Sequence, residues 1–89
     1  MTVEIKNRFT GVIIKTLKVD NLSYVNLYKA DLSEANLCKA NLRGAGLYKA
    51  NLSGAYLYKA DLYKADLSEA NLCKANLRGA GLYLSLIPN

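Results

Sequence analysis

A leucine recurs every five residues from Leu22 to Leu82, thirteen times without a miss. No single regular element can bury such a series on one side. On an α-helix five residues advance about 500°, so successive leucines turn by about 140° and smear around the axis. On a continuous strand an odd period sends alternate leucines to opposite faces. The spacing inside each unit resolves the conflict. An alanine stands two places before each of the last eleven leucines, from Ala30 to Ala80, and residues two apart on an extended segment share a face. Asn or Asp lies between them in most units, as in Ala35-Asn36-Leu37, and points the other way. A corner after every short extended piece then turns each Ala–Leu pair toward a common axis. Four sides close a coil of about twenty residues, and coils stack at about 4.8 Å, where neighbouring strands hydrogen-bond.

The corner chemistry agrees. Gly44, Gly54 and Gly79 end their units, where a positive φ costs glycine nothing. Asn and Asp bond nearby backbone groups and tolerate turns. The twenty-residue coil predicts interior ladders such as Leu22, Leu42, Leu62 and Leu82, and outside it places Tyr28 beneath Tyr48 and Tyr63 beneath Tyr83. A leucine-rich helix bundle is opposed by the frequent Asn, the Gly residues and the period.

The A-(D/N)-L-x-x array over residues 20–84 resembles the pentapeptide repeat family. The resemblance implies an all-β fold, a right-handed quadrilateral β-helix of about three coils. Asp20-Asn21-Leu22 and Val25-Asn26-Leu27 depart by lacking the alanine, and Lys15-Thr16-Leu17 reads as one further, degenerate unit. Three segments follow: residues 1–19 as an N-terminal β-hairpin cap, 20–84 as the β-helix, and 85–89 as a C-terminal tail. In the cap, Val3-Glu4-Ile5-Lys6 alternates, Asn7-Arg8-Phe9-Thr10-Gly11 supplies turn residues, and Val12-Ile13-Ile14-Lys15 returns. Its expected job is to cover strand edges that would otherwise invite association, with Phe9 as part of the cap. The apolar tail residues Leu84, Leu86 and Ile87 suit either a lid over the last coil or an end-to-end dimer contact, as the C-terminus makes in some family members.

Composition bounds the chemistry. Eighty-nine residues make one domain. No apolar run approaches a membrane helix and the first residues lack a signal peptide's apolar segment, so the expectation is a soluble cytoplasmic protein. There is no histidine, which removes the commonest general base and metal ligand. Ser33, Ser53 and Ser68 have no base nearby in the pattern, and the glycines follow the five-residue period instead of forming a phosphate loop. Cys38 and Cys73 fall on different sides nearly two coils apart, too far for a disulfide, and two cysteines alone make no zinc site. The expectation is no enzyme, cofactor, metal, small-molecule substrate or membrane contact.

The block from Tyr28 to Tyr48 recurs unchanged from Tyr63 to Tyr83. Seven units are one and three-quarter coils, so the copy lands on different sides and cannot rebuild one surface patch a coil later. That favours length and fold over a position-specific active site. The outward anomaly is Tyr56, placed where Asn or Asp is usual. Around it Tyr58, Lys59, Tyr63 and Lys64 point outward, and Arg78 stacks above Tyr58 for a cation–π contact. Tyrosine beside basic residues is the composition of interaction hot spots and of single-strand nucleic-acid grooves.

Three functions are compatible. The first is a non-catalytic scaffold that displays outward side chains to a protein partner or to a second copy. The second, implied by the resemblance, is modulation of DNA gyrase or another type II topoisomerase by DNA mimicry. Mimicry needs a long acidic rod, and this chain is short with a net charge of +5. The third is weak nucleic-acid binding through the Lys/Tyr face, for which +2 on the array is a small footprint. Family members are frequent in bacteria and phage.

Overall fold

The five-residue unit assigns one hydrogen-bonding job to each backbone N–H. A computed structural model describes residues 1–82, and throughout its repeat region the same bonds recur. The alanine N–H donates to the leucine carbonyl three residues back, as Ala35 to Leu32 at 3.0 Å. The Asn/Asp N–H donates to the coil below, as Asn51 to Ala30 at 2.9 Å, and the leucine N–H to the coil above, as Leu32 to Asn51 at 2.7 Å. The fifth-position N–H also reaches the coil above, as Glu34 to Ser53 at 2.8 Å. The fourth-position N–H has no backbone acceptor and is capped by the Asn or Asp side chain two residues earlier, as Ser53 to Asn51 Oδ1 at 3.0 Å. Satisfying these donors in every described unit but those of Gly46 and Tyr56, where no Asn or Asp precedes the fourth-position N–H, is what lets so short a strand persist.

Each corner is a turn with φ positive at its third residue alone, the type II pattern. Glycine was expected there, yet the position is in the left-handed region whatever its side chain. From Tyr24 to Gly79 φ lies between 56° and 72° in every unit, including Lys29, Glu34, Lys49 and Glu69. Lysine and glutamate accept a conformation that costs L-residues roughly 1–2 kcal/mol because the turn and the ladder bond above over-determine it.

Four parallel columns of paired residues define four faces. The first holds Asn26, Gly46 and Asp66, the second Asp31, Asn51 and Asn71. The third holds Asn36, Tyr56 and Asn76, and the fourth Asn41, Asp61 and Gly81. Inside, Leu32, Leu42, Leu47, Leu52, Leu57, Leu62 and Leu67 are fully buried, with Ala45, Ala50, Ala55, Ala60 and Ala65 between them. Each such leucine contributes about 1.5–3 kcal/mol of burial. Alanine is required beside them because a larger side chain would overlap the leucines of its own coil.

The N-terminal residues form a hairpin. β1 (Val3–Asn7) pairs antiparallel with β2 (Ile13–Leu17), with a bulge at Ile5/Lys6. β1 also pairs antiparallel with β3 (Ala35–Asn36), so the hairpin lies beneath the third face of the first coil. Ile5 enters the core, with Val3, Ile14, Leu17 and Val19 packed against it. Lys15-Thr16-Leu17 is therefore not a degenerate unit: these residues are the end of β2, Leu17 facing Val3. A strand that already pairs sideways with β1 cannot turn a coil corner. Phe9 lies in the loop between β1 and β2, within the hairpin. It projects from the hairpin tip, 69% exposed. The expected contacts of Tyr83, Leu84, Leu86 and Ile87 lie outside the described residues.

Candidate functional site

Because the fourth- and fifth-position side chains take no part in the ladder, they are available for display. The sequence-expected patch is split by the corners. Tyr56 stands in the middle of the third face. Tyr58, Lys59 and Arg78 follow at the corner between the third and fourth faces, whereas Tyr63 and Lys64 lie across the fourth face at its far corner. The Tyr56 and Tyr58 rings stack at 6.0 Å and 12°. Tyr63 carries Arg43 Cζ 4.6 Å from its centroid, and the same guanidinium donates to Asp61 Oδ2 at 3.2 Å. Arg78 does not lie over Tyr58 as expected; the cation there is Lys59 Nζ, at 5.3 Å.

That last contact belongs to a local motif. In each Tyr-Lys pair the lysine's left-handed backbone folds Nζ back over the preceding ring: Lys29 on Tyr28 at 5.1 Å, Lys49 on Tyr48 at 5.4 Å, Lys64 on Tyr63 at 5.5 Å. At exposed sites such pairs contribute about 0.5–1 kcal/mol each. Tyr28 stacks on Tyr48 at 5.2 Å, as the twenty-residue coil requires. Tyr48 Oη donates to Glu69 Oε2 at 3.0 Å, which holds its phenol above its ordinary pKa.

The sequence gives no sign of Arg8, which organises the patch from outside the repeat. It reaches from the hairpin loop so that its Cζ sits 4.8 Å from the Phe9 ring and 4.7 Å from the Tyr56 ring. Its Nη1 donates to the Gly54 carbonyl at 3.2 Å. The anomalous Tyr56 is thus the surface on which the cap is latched to the second coil. Next to it, Ser33, Glu34, Ser53, Gly54, Cys73 and Lys74 line a shallow groove of about 280 Å³ at the corner between the second and third faces. The groove exists because Gly54 adds no side chain between Glu34 and Lys74.

The catalytic inventory is thin. Asp66 accepts from Ser68 Oγ and from Ser68 N–H, which lowers its pKa, and Asp31 bonds Ser33 in the same way. Both are turn-capping pairs, in which the carboxylate that accepts from the serine hydroxyl also holds the serine's own N–H. Cys38 is half-buried, Cys73 exposed, and both are free thiols. Among the described residues no cluster of acidic or cysteine side chains is arranged to hold a metal ion, and no helix is long and apolar enough to cross a membrane.

The chain matches a solved pentapeptide repeat protein from Nostoc Pcc 7120 at 48% identity, over 68% of this chain and 55% of that one, with a TM-score of 0.39. It therefore spans about half the length of that protein. No curated protein matches the sequence. The family model described as Pentapeptide repeats matches residues 21–57 and 50–83 in eight copies. Those matches cover the whole stretch in which Asn or Asp caps the turn and Ala and Leu fill the coil, so the chain belongs to the pentapeptide repeat family, whose fold is a right-handed β-helix.

Proposed function

We propose that this protein is a non-catalytic interaction scaffold acting in the cytoplasm. The observation that supports this is the separation of labour within each unit. Backbone donors are satisfied by the ladder and by Asn or Asp, and the core by Ala and Leu. The fourth and fifth side chains hold neither, yet they are ordered at fixed spacing on a rigid frame. On the third and fourth faces they include Tyr58, Lys59, Tyr63, Lys64 and Arg78, joined by Tyr56 from the Asn/Asp position, aromatic and basic residue types suited to protein contacts. DNA mimicry toward a type II topoisomerase is not supported by a net charge of +5. Self-association through the tail remains a competing outcome of the same experiment.

The test is capture from cell extract with tagged wild type and with a Tyr56, Tyr58, Lys59, Tyr63, Lys64→Ala variant, after circular dichroism shows that both fold. A partner retained by wild type and lost by the variant is the expected result. Identical capture by both, or capture of the protein itself alone, would refute a role for this face.

A further inference from the structure

One corner of the coil differs in charge from the rest. Between the third and fourth faces the outward positions of successive coils carry Lys39, Lys59 and Arg78, all exposed. Lys39 N–H bonds Tyr58 C=O at 2.8 Å and Lys59 N–H bonds Arg78 C=O at 2.9 Å, fixing their backbones one coil step apart, about 4.8 Å. Arg78 is in the fourth position of its unit, beside Gly79, which takes the place above Lys59. Like charges on neighbouring strands repel, and no acid interrupts the column. The next corners mix signs: Glu69 stands above Lys49, and Glu34 below Lys74. Across the fourth face, Arg43 and Lys64 line the far corner, Arg43 paired with Asp61. The fourth face and its two edges thus hold five cations against two acids, Asp61 and Asp20, whereas the rest of the repeat surface holds three against four.

We propose that the Lys39–Lys59–Arg78 edge, with the fourth face beside it, is a docking strip for an extended acidic segment of a partner protein. This rests on the scaffold reading above and names the class of partner. A peptide laid along the coil axis presents same-face carboxylates about 7 Å apart, close enough to the climb of the cations for each carboxylate to bridge two of them. Bridging removes the repulsion that the unbound column carries. Single-stranded nucleic acid fits less well, since it gains affinity by stacking bases on open rings. Here Lys59 already covers Tyr58, and Arg8 covers Tyr56.

The test is fluorescence anisotropy with a fluorescein-labelled octaglutamate peptide and, separately, an oligothymidine of equal charge. Wild type is compared with Lys39→Gln/Lys59→Gln/Arg78→Gln and with Lys29→Gln/Lys49→Gln, which removes both cations of the first corner. The triple variant should bind octaglutamate about tenfold more weakly or worse. The double variant should change affinity by about twofold or less, and wild-type binding should weaken with salt. No wild-type binding of octaglutamate, equal loss in the double variant, or tighter binding of oligothymidine would each overturn the proposal. If octaglutamate fails while the captured partner still depends on the tyrosine–lysine face, the acidic class is wrong and the scaffold reading stands. If both fail, both are wrong.

Discussion

Gly46→Asn should make this protein more stable, although it adds nothing to the core. In the repeat, the fourth-position N–H is capped by Asn or Asp two residues earlier, as Tyr28 by Asn26 and Tyr63 by Asp61. At Gly46 that side chain is missing, so Tyr48 N–H lacks the acceptor its equivalents have. Room exists for it. A Cβ at Gly46 would meet Asn26 Oδ1 at 3.7 Å, Asn26 Cα at 3.8 Å and the Val25 carbonyl at 3.9 Å, all ordinary contacts, and its φ is not positive. Two effects then favour the substitution. Replacing glycine where the backbone is compatible gains about 0.4–1 kcal/mol by restricting the unfolded chain. The restored hydrogen bond contributes about 0.5–1.5 kcal/mol. The sum, about 1–2.5 kcal/mol, raises Tm by about 4 °C or more, at roughly 4–8 °C per kcal/mol for a domain of this size. Gly46→Ala separates the two effects, since it has the entropic gain without the acceptor. Thermal and urea unfolding of the three proteins should rank Asn above Ala above Gly. Equal stability of the Asn and Ala variants would refute the claim that the capping side chain stabilises the coil.

Three other outcomes follow from the same geometry. Ala50→Leu should overpack the interior by about 1–3 kcal/mol, read as a lowered urea midpoint; unchanged unfolding would contradict the inward placement of a residue with no exposed surface. A double-mutant cycle with Arg8→Ala and Tyr56→Ala should give a coupling of about 0.5–1 kcal/mol, since the 4.7 Å contact latches the cap to the second coil; additive effects would show that the latch carries no energy. Ser68→Ala should raise the Asp66 titration point followed by NMR, because the Ser68 hydroxyl is the main cause of its lowered pKa. A carboxyl whose folded pKa is depressed stabilises the fold above its unfolded pKa and loses that stabilisation as pH falls through the folded value. The Ser68→Ala protein should therefore lose this contribution at higher pH than wild type on acidification.

The periodic part of the fold was legible because period, side-chain size and polarity agree at every unit. Leu32, Leu52 and Ala50 had to face inward once a helix and a flat strand were excluded. What escaped the pattern is non-periodic or backbone-determined. The left-handed backbone at Lys29, Glu34 and Lys49 is invisible to propensity, which signals it only at Gly44, Gly54 and Gly79. The end of β2 at Leu17 imitates a repeat unit because Thr16-Leu17 resembles its polar–leucine step, and only pairing with Val3 separates the two. Arg8 meets Tyr56 across forty-eight residues and Gly54 across forty-six, and no local signal marks a contact between a hairpin loop and a coil face. Arg78 is stacked above Tyr58 by register, but the left-handed backbone of Lys59 brings a nearer cation onto the ring.

Residue-resolved amide hydrogen exchange tests most directly whether each of the five positions has the job assigned to it. The alanine, leucine and fifth-position amides of the first two coils should be protected, along with the capped fourth-position amides of Ser33 and Ser53. The Tyr48 and Tyr58 amides, which follow Gly46 and Tyr56 and so have no capping oxygen, should exchange far faster, and in Gly46→Asn the Tyr48 amide alone should slow. Uniform protection of all fourth-position amides, or no slowing in Gly46→Asn, would contradict the account.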